Sequence, residues 1–231
     1  MAIVTISRQY GCSGEYVGER VAKALGYQFV NNEIIQYVSI LTSTPAHVVK
    51  GFDEDYHSNL SAILSKYIDL NIFSDIIKDD PYIKSSTPEC IEIPEEESLF
   101  DEGIKYNPIF DSESFQKMVE RVIFKLAQKG DVVIIGRGAQ CILKDHPNTF
   151  HVRLYAPFES RVKWVQSKLK IDARTAQQKI TDIEQRRKNF IKHYYGAEID
   201  DPTLYHTLIN MDKFNIEKTA NAIINIVKSN F

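Results

Sequence analysis

Cysteine is scarce in this chain. Only Cys12, Cys90 and Cys141 occur among 231 residues. An odd number at unrelated spacings builds neither a disulfide framework nor a zinc site, and it points to a reducing, cytoplasmic compartment. An excess of positive charge is also missing. Against 28 Lys and Arg stand 31 Asp and Glu, for a formal net charge of −3. No cationic field of the kind that gathers nucleic acid or anionic lipid is expected, and neither partner is predicted. Long apolar runs are absent too. The longest uncharged stretch, Ile34 to Val49, holds Gln36, Ser39, Thr42, Ser43, Thr44, Pro45 and His47. It is too short and too polar to cross a bilayer. The opening MAIVTISRQYGCSG lacks the basic and apolar regions of a secretory signal. What is present, 43% apolar and 26% charged residues, is ordinary for a soluble globular protein. The length predicts one core with an insertion or a small satellite lobe.

Along the chain, Ala2 to Ser7 is β-prone and leads into Gly11, Gly14 and Gly18. Apolar residues from Val17 to Leu25 then fall at helical spacing, until Gly26 stops the helix. The expectation is strand, glycine loop, helix, then a short second strand at Tyr27 to Val30. Residues 40 to 110 are broken repeatedly, at Pro45, Gly51, Pro81 and Pro88, and Glu89 to Glu102 is acid-rich. That run reads as a solvated segment. Periodicity returns with Phe115, Met118, Val119, Val122, Ile123 and Leu126, the stripe of one helix. Val132 to Ile135 is apolar on both faces, as in a buried parallel sheet. Further strands are expected at Thr149 to Tyr155 and Thr207 to Asn210, helices near 158–170 and 172–192, and a closing helix at Ile216 to Val227. Strands alternating with helices predict a doubly wound α/β fold.

Ligands in such sheets sit at the carboxyl ends of the strands. Three features fall there. The loop Ser7 to Gly14 brings backbone amides to a helix start, which favours phosphate; a tight turn that binds nothing would carry the same glycines. Gly136-Arg137-Gly138 can present a planar guanidinium to phosphate or carboxylate, or hold a surface ion pair. Arg186-Arg187-Lys188 lies on a helix whose basic face could be merely solvated, or could neutralise a transferring phosphoryl group. The loop lacks the lysine of G-x-x-x-x-G-K-[ST], since Gly14, Glu15 and Tyr16 follow Ser13. It is no clean G-x-G-x-x-G, and no Tyr-x-x-x-Lys pair occurs. A dinucleotide oxidoreductase would need an acid ending the second strand, where Asn31-Asn32 stands.

The pattern Ile6-Ser7-Arg8-Gln9-Tyr10-Gly11, with Gly14, Gly18, Ala22, Leu25 and Gly26, resembles the opening of the cytidylate kinase-like family. Further matches are Glu33-Ile34-Ile35, Phe52-Asp53-Glu54, Val133 to Ala139, His151 to Pro157, Glu159 with Arg161, Arg187, Tyr205, Ile209-Asn210 and Asp212-Lys213. The resemblance spans nearly the whole chain outside roughly 60 to 108. It implies a P-loop NTPase-type, five-stranded doubly wound parallel sheet forming a single nucleoside-monophosphate-kinase-like domain. The core would be 1–30, 111–160 and 200–231. A helical acceptor arm would be inserted at about 31–110, and a helical lid would lie at about 160–200.

The implied activity is transfer of a phosphoryl group from ATP, with Mg2+, to a nucleoside monophosphate such as CMP or dCMP. The implied partners are therefore the two nucleotides, and the oligomeric state stays open, a homodimer included. By the same resemblance Arg8, Arg137 and Arg187 are catalytic. Gly11, Cys12, Ser13, Gly14, Glu15, Tyr16 and Arg186 would hold the triphosphate. Asn31, Glu33, Asp53 and Arg137 would hold the acceptor, and Ser13 would contact magnesium.

The departures also matter. Members often carry Gly-Gly-Arg where this chain has Ser13-Gly14-Glu15, so an anion replaces a cation at the helix start. Asn31 replaces an acid before the acceptor arm, Gly138 an aspartate after Arg137, and Glu184-Gln185 an Asp-Lys pair on the lid. These losses support an alternative, a noncatalytic nucleotide-binding module acting as sensor or assembly factor.

Overall fold

The computed structural model describes residues 2–31, 34, 37, 38 and 112–231. The chain divides into two compact units, Met1–Asn31 with Ala127–Phe231, and Asn32–Leu126. In the second, Ile34, Tyr37, Val38, Phe115, Met118, Val119, Val122, Ile123 and Leu126 are buried. The last six are the stripe anticipated for one helix, α2, which runs Ser112–Lys129.

The first unit is built on five strands, β1 (Ile3–Arg8), β2 (Gln28–Val30), β3 (Val132–Ile135), β4 (Thr149–Tyr155) and β5 (Thr207–Asn210). All neighbours are parallel, in the order β2-β3-β1-β4-β5. The central strand is therefore the first in sequence, flanked on both sides by strands more than 120 residues later. That arrangement requires crossovers, and helices supply them.

One face of the sheet is apolar throughout. Ala2, Val4 and Ile6 of β1, Val133 and Ile135 of β3, and Phe150, Val152 and Leu154 of β4 form a single cluster. It is covered by Val17, Val21 and Ala22 of α1 (Gly14–Leu25) and by Ala220, Ile223, Ile224 and Val227 of the last helix, Ile216–Asn230. The other face alternates with it and is also buried, yet it carries Thr5, Ser7, Thr149, His151 and Arg153.

Between β3 and β4 lies a single-turn helix α3, Ala139–Ile142. After β4 come α4 (Phe158–Leu169) and the 23-residue α5 (Ala173–Tyr195), which packs on α4 through Val162, Val165, Ala176 and Ile180. Asp172 caps α5 by accepting the Thr175 amide at 3.0 Å. The closing helix is α6 in chain order. Asn215 caps it in the same way, accepting the Lys218 amide at 2.8 Å.

The elements expected at described positions are all found, with shifted ends, while the anticipated helical arm at about 31–110 lies almost wholly outside the described residues. β1 runs through Arg8 rather than stopping at Ser7, because β4 continues beside it as far as Leu154. Helix α1 starts at Gly14, three residues before the apolar spacing begins at Val17, capped by Ser13 in a left-handed conformation with no side-chain cap bond. Helix α5 continues to Tyr195, and α3 was not anticipated. No described helix is long and apolar enough to cross a membrane.

Candidate phosphate site

Two turns meet at the carboxyl edge of the central strands. The first is the loop from β1 to α1. It is fastened to β4 from both sides: the Gln9 amide donates to the Leu154 carbonyl at 2.9 Å, and the Gln9 side-chain carbonyl accepts the Ala156 amide at 3.1 Å. Arg8, nearly buried, lays its side chain across the start of α1. A Cβ on Gly14 would come within 2.9 Å of Arg8 Cγ, so glycine is needed there for that approach.

The second turn follows β3. Ile135 is in register with Ile6, and the Gly136 amide donates to the Ile6 carbonyl at 3.1 Å. This places Gly136 and Arg137 beside the end of β1. Gly136, Arg137 and Gly138 all have positive φ, at 70°, 57° and 70°. For arginine the left-handed region costs on the order of 1–2 kcal/mol. Strain of this kind, held by the surrounding structure, is typical of functional turns. Gly138 also meets Tyr195: a Cβ there would stand 2.4 Å from its ring. Arg137 is 1% exposed, so its side chain is enclosed by the fold and does not lie on the surface.

Helix α5 delivers the third arginine. Arg187 is buried and donates from Nη1 to the Arg8 carbonyl at 3.1 Å, with its guanidinium 5.8 Å from the Tyr10 ring. Arg161 of α4 is also buried. It donates to the Tyr10 carbonyl at 3.2 Å and the Ala156 carbonyl at 3.1 Å. Glu184, one turn before Arg187, accepts the Tyr10 amide at 2.6 Å and stands 4.0 Å from both Arg161 and Arg187. Arg8, Arg137 and Arg187 are thus three buried cations grouped at one strand edge.

The other anticipated residues divide. Cys12 turns its side chain into the apolar core, and burial pushes its thiol up to about 12, outweighing the nearby Arg161. Cys12 also borders the cleft beside Ser13, and a thiol kept protonated in this way is a poor nucleophile. Ser13 and Gly11 line a cleft of about 310 Å³ that is completed by Ala156, Ser160, Trp164, Met211, Asp212, Phe214, Asn215 and Ile216. Ser160 donates to Asp212 at 2.5 Å, and hydrogen bonds from Ser160 and Lys213 hold the Asp212 carboxyl below its usual range. Glu15 is exposed on the first turn of α1. Tyr16 is also exposed, with Lys168 Nζ 4.8 Å from its ring. Arg186 is half-buried, and its Nε is enclosed without a hydrogen-bond partner. Asn31 directly follows β2. Glu33 and Asp53, and with them most of the anticipated arm at 31–110, lie outside the described residues.

Reading the sequence singled out the arginines and glycines but gave no role to Tyr10, Trp164 or Arg153. Arg153 carried a signal: a lone cation in the middle of an otherwise buried strand needs partners. It donates to Ser7 at 2.8 Å and to Asp200 at 2.5 Å, and Lys188 of α5 closes on the same carboxylate at 2.9 Å. Although burial pushes the Asp200 carboxyl up, the bonds from Lys188 and Arg153 hold it below its usual value.

A five-stranded parallel sheet in this order, with a glycine loop joining its central strand to a helix and arginines gathered at that edge, is a P-loop NTPase-type doubly wound α/β fold. The chain belongs to the cytidylate kinase-like family, whose sequence profile it matches over residues 3–213. It is 30% identical over 107 residues to the cytidylate kinase of Staphylothermus marinus, covering 46% of this chain and 59% of that one. It is 32% identical over 120 residues to the cytidylate kinase of Methanococcus aeolicus, covering 51% and 65%. The chain therefore spans about three fifths of the length of these relatives. Its fold is also that of an uncharacterised protein from Eubacterium ventriosum, with a TM-score of 0.62, 16% identity and 99% of each chain covered.

Proposed function

We propose that this protein is an ATP-dependent phosphotransferase of the nucleoside monophosphate kinase type, with CMP or dCMP as acceptor, acting in the cytoplasm. The grouping of buried Arg8, Arg137 and Arg187 at the carboxyl edge of β1 and β3 carries this reading. A planar guanidinium matches phosphate oxygens two at a time, and both substrates are polyanions. Loop amides from Gly11 to Tyr16 would hold the donor phosphates. The cleft beside Ser13, with Trp164 and Phe214 in its lining, offers the donor base an aromatic wall.

An acceptor phosphate oxygen attacks the γ-phosphorus in line. The new P–O bond forms as the bond to the β-phosphate oxygen breaks, and ADP carries away that electron pair. The protein's part is positional and electrostatic: Arg137 orients the acceptor, while Arg8 and Arg187 balance charge on the transferring group. Magnesium would supply charge neutralisation at the phosphates. Ser13 suits it, because its hydroxyl makes no cap bond and borders the cleft.

Calorimetric titration with Mg-ATP and then with a panel of monophosphates, followed by an ADP-release assay, tests the reading. Turnover with CMP or dCMP supports it; failure to bind ATP overturns it. Arg137→Ala should weaken monophosphate binding about ten- to a hundredfold, the usual range for one lost charge-assisted bond, while ATP binding changes less than threefold. One observation favours a second reading, a noncatalytic sensor or assembly module. Exposed Glu15 stands on the first turn of α1, where a triphosphate would meet its charge. Binding of ATP without turnover would establish that alternative.

A further inference from the structure

The glycine loop is held from one side by the strands and from the other by side chains of α4 and α5, Glu184 among them, 174 positions from Tyr10. The Glu184 carboxylate accepts the Tyr10 amide at 2.6 Å and so joins α5 to the backbone of that loop. Glu184 is 16% exposed in its side chain and lies between Arg161 and Arg187, each 4.0 Å from the same oxygen. Those separations exceed hydrogen-bond length, so the amide is the closer partner and the two cations supply the field that holds the charge there. Arg161 returns to the loop by donating to the Tyr10 carbonyl, and Arg187 by donating to the Arg8 carbonyl. Both polar groups of the Tyr10 backbone are thus tied to α4 and α5, at the step before Gly11 turns to a φ of 91°.

We propose that Glu184 is a positioning residue, which fixes the glycine loop through the Tyr10 amide and so couples the placement of Arg187 to the conformation that receives the triphosphate. The proposal rests on the reading of that loop as the donor-phosphate site. Its structural half, that Glu184 orders the loop, stands independently of ATP. Glutamine at 184 keeps a carbonyl oxygen of the same reach and can accept the same amide. Aspartate keeps the charge but falls one methylene short.

The test compares the wild-type protein with Glu184→Ala, Glu184→Asp and Glu184→Gln, by amide hydrogen exchange and by calorimetric ATP titration. In the Ala and Asp variants the Tyr10 amide should exchange about tenfold faster, and ATP affinity should fall about tenfold. Exchange at the sheet amides of Ile6 and Val152 should be unchanged. Glu184→Gln should restore both quantities to within threefold of the wild type. A merely structural role would speed exchange across the sheet as well, and the Gln variant would not correct it.

Unchanged Tyr10 exchange in the Ala and Asp variants would overturn the proposal. So would tighter ATP binding in the Gln and Ala variants, which would show the carboxylate competing with phosphate. A Gln variant as impaired as Ala would overturn it too, making charge rather than the amide bond the cause. Should the Ala variant fail to fold, Asp against Gln gives the same decision. If the wild type binds no ATP, the functional reading falls, and Tyr10 exchange alone still decides the role of Glu184.

Discussion

The two faces of the sheet are equally dry and differently made. On one, Ala2, Val4, Ile6, Phe150, Val152 and Leu154 belong to a single apolar cluster with residues of α1 and α6. On the other, Thr5 meets His151 Nδ1 at 2.6 Å, and Ser7 accepts from Arg153 at 2.8 Å. These are register partners: Thr5 lies opposite His151, and Ser7 opposite Arg153. The apolar face is held by close packing that tolerates exchange of one aliphatic for another. The polar face is held by bonds that each need a particular partner, and it leads through Ser7 to Arg8 and through Arg153 to Asp200 and α5. Stability without direction sits on one side of the sheet, and the connections that reach the strand edge bearing Arg8 sit on the other.

Truncation of the cation should sharpen that contrast most. Arg153→Ala removes the closer donor of Ser7, which keeps only the Tyr205 hydroxyl at 3.3 Å, and one of the two cations on Asp200. A loss of about 3–4 kcal/mol is expected, near the lower end for a broken buried pair because Asp200 is half-exposed and keeps Lys188. Chemical denaturation reads it, and a loss below 1 kcal/mol would remove the distinction between the faces.

Acid should act on the polar face next. Burial, and after it the neighbouring His206, pushes His151 down to about 4. Its imidazole is neutral in the folded protein, whereas the unfolded chain protonates near 6.5. The unfolded state therefore binds the extra proton, and stability falls as pH drops from about 6.5 to about 4. The total is about 3 kcal/mol at 1.36 kcal/mol per pKa unit. Midpoints measured between pH 7 and 4.5 check this; a His151→Gln variant should flatten the slope, and an unchanged slope would reassign the effect.

The smallest change is expected one residue away on the opposite face. Val152→Ala removes two methyl groups from an apolar cluster, worth about 2 kcal/mol in transfer and cavity terms. If it costs more than Arg153→Ala, packing rather than the polar network dominates the sheet.

Much of this fold could be read in advance, because β3, β4, β5 and α2 are written in runs or stripes of apolar residues that depend on local pattern alone. The ends of β1 and α1 could not. Arg8 and Gly14 look like loop residues, and only the neighbouring β4 and the Arg8 side chain give them their places. The arginines of the site were visible as charges beside glycines. Their burial was not, since a cation in a turn carries no mark of what will cover it. The Tyr10–Glu184 bond was beyond reach for a plainer reason: nothing local relates an amide to a carboxylate 174 residues later. Thr5, Ser7 and Arg153 hid in another way, as strand residues whose polarity ordinarily signals the solvent side.

The turn Gly136-Arg137-Gly138 is, in effect, a short piece of mirror-image backbone. Its central residue rests where a D-amino acid would be at ease, so a protein made by ligation with D-arginine at 137 would relieve the turn while reversing the direction in which its side chain leaves the chain. Handedness and aim are therefore set against each other at this one position. The L-residue is kept in an uncomfortable pose by the sheet, and loosening the sheet would let it relax and swing away. Arg137 is in this sense a gauge of the core beneath it, pointing correctly only while β1 and β3 remain joined.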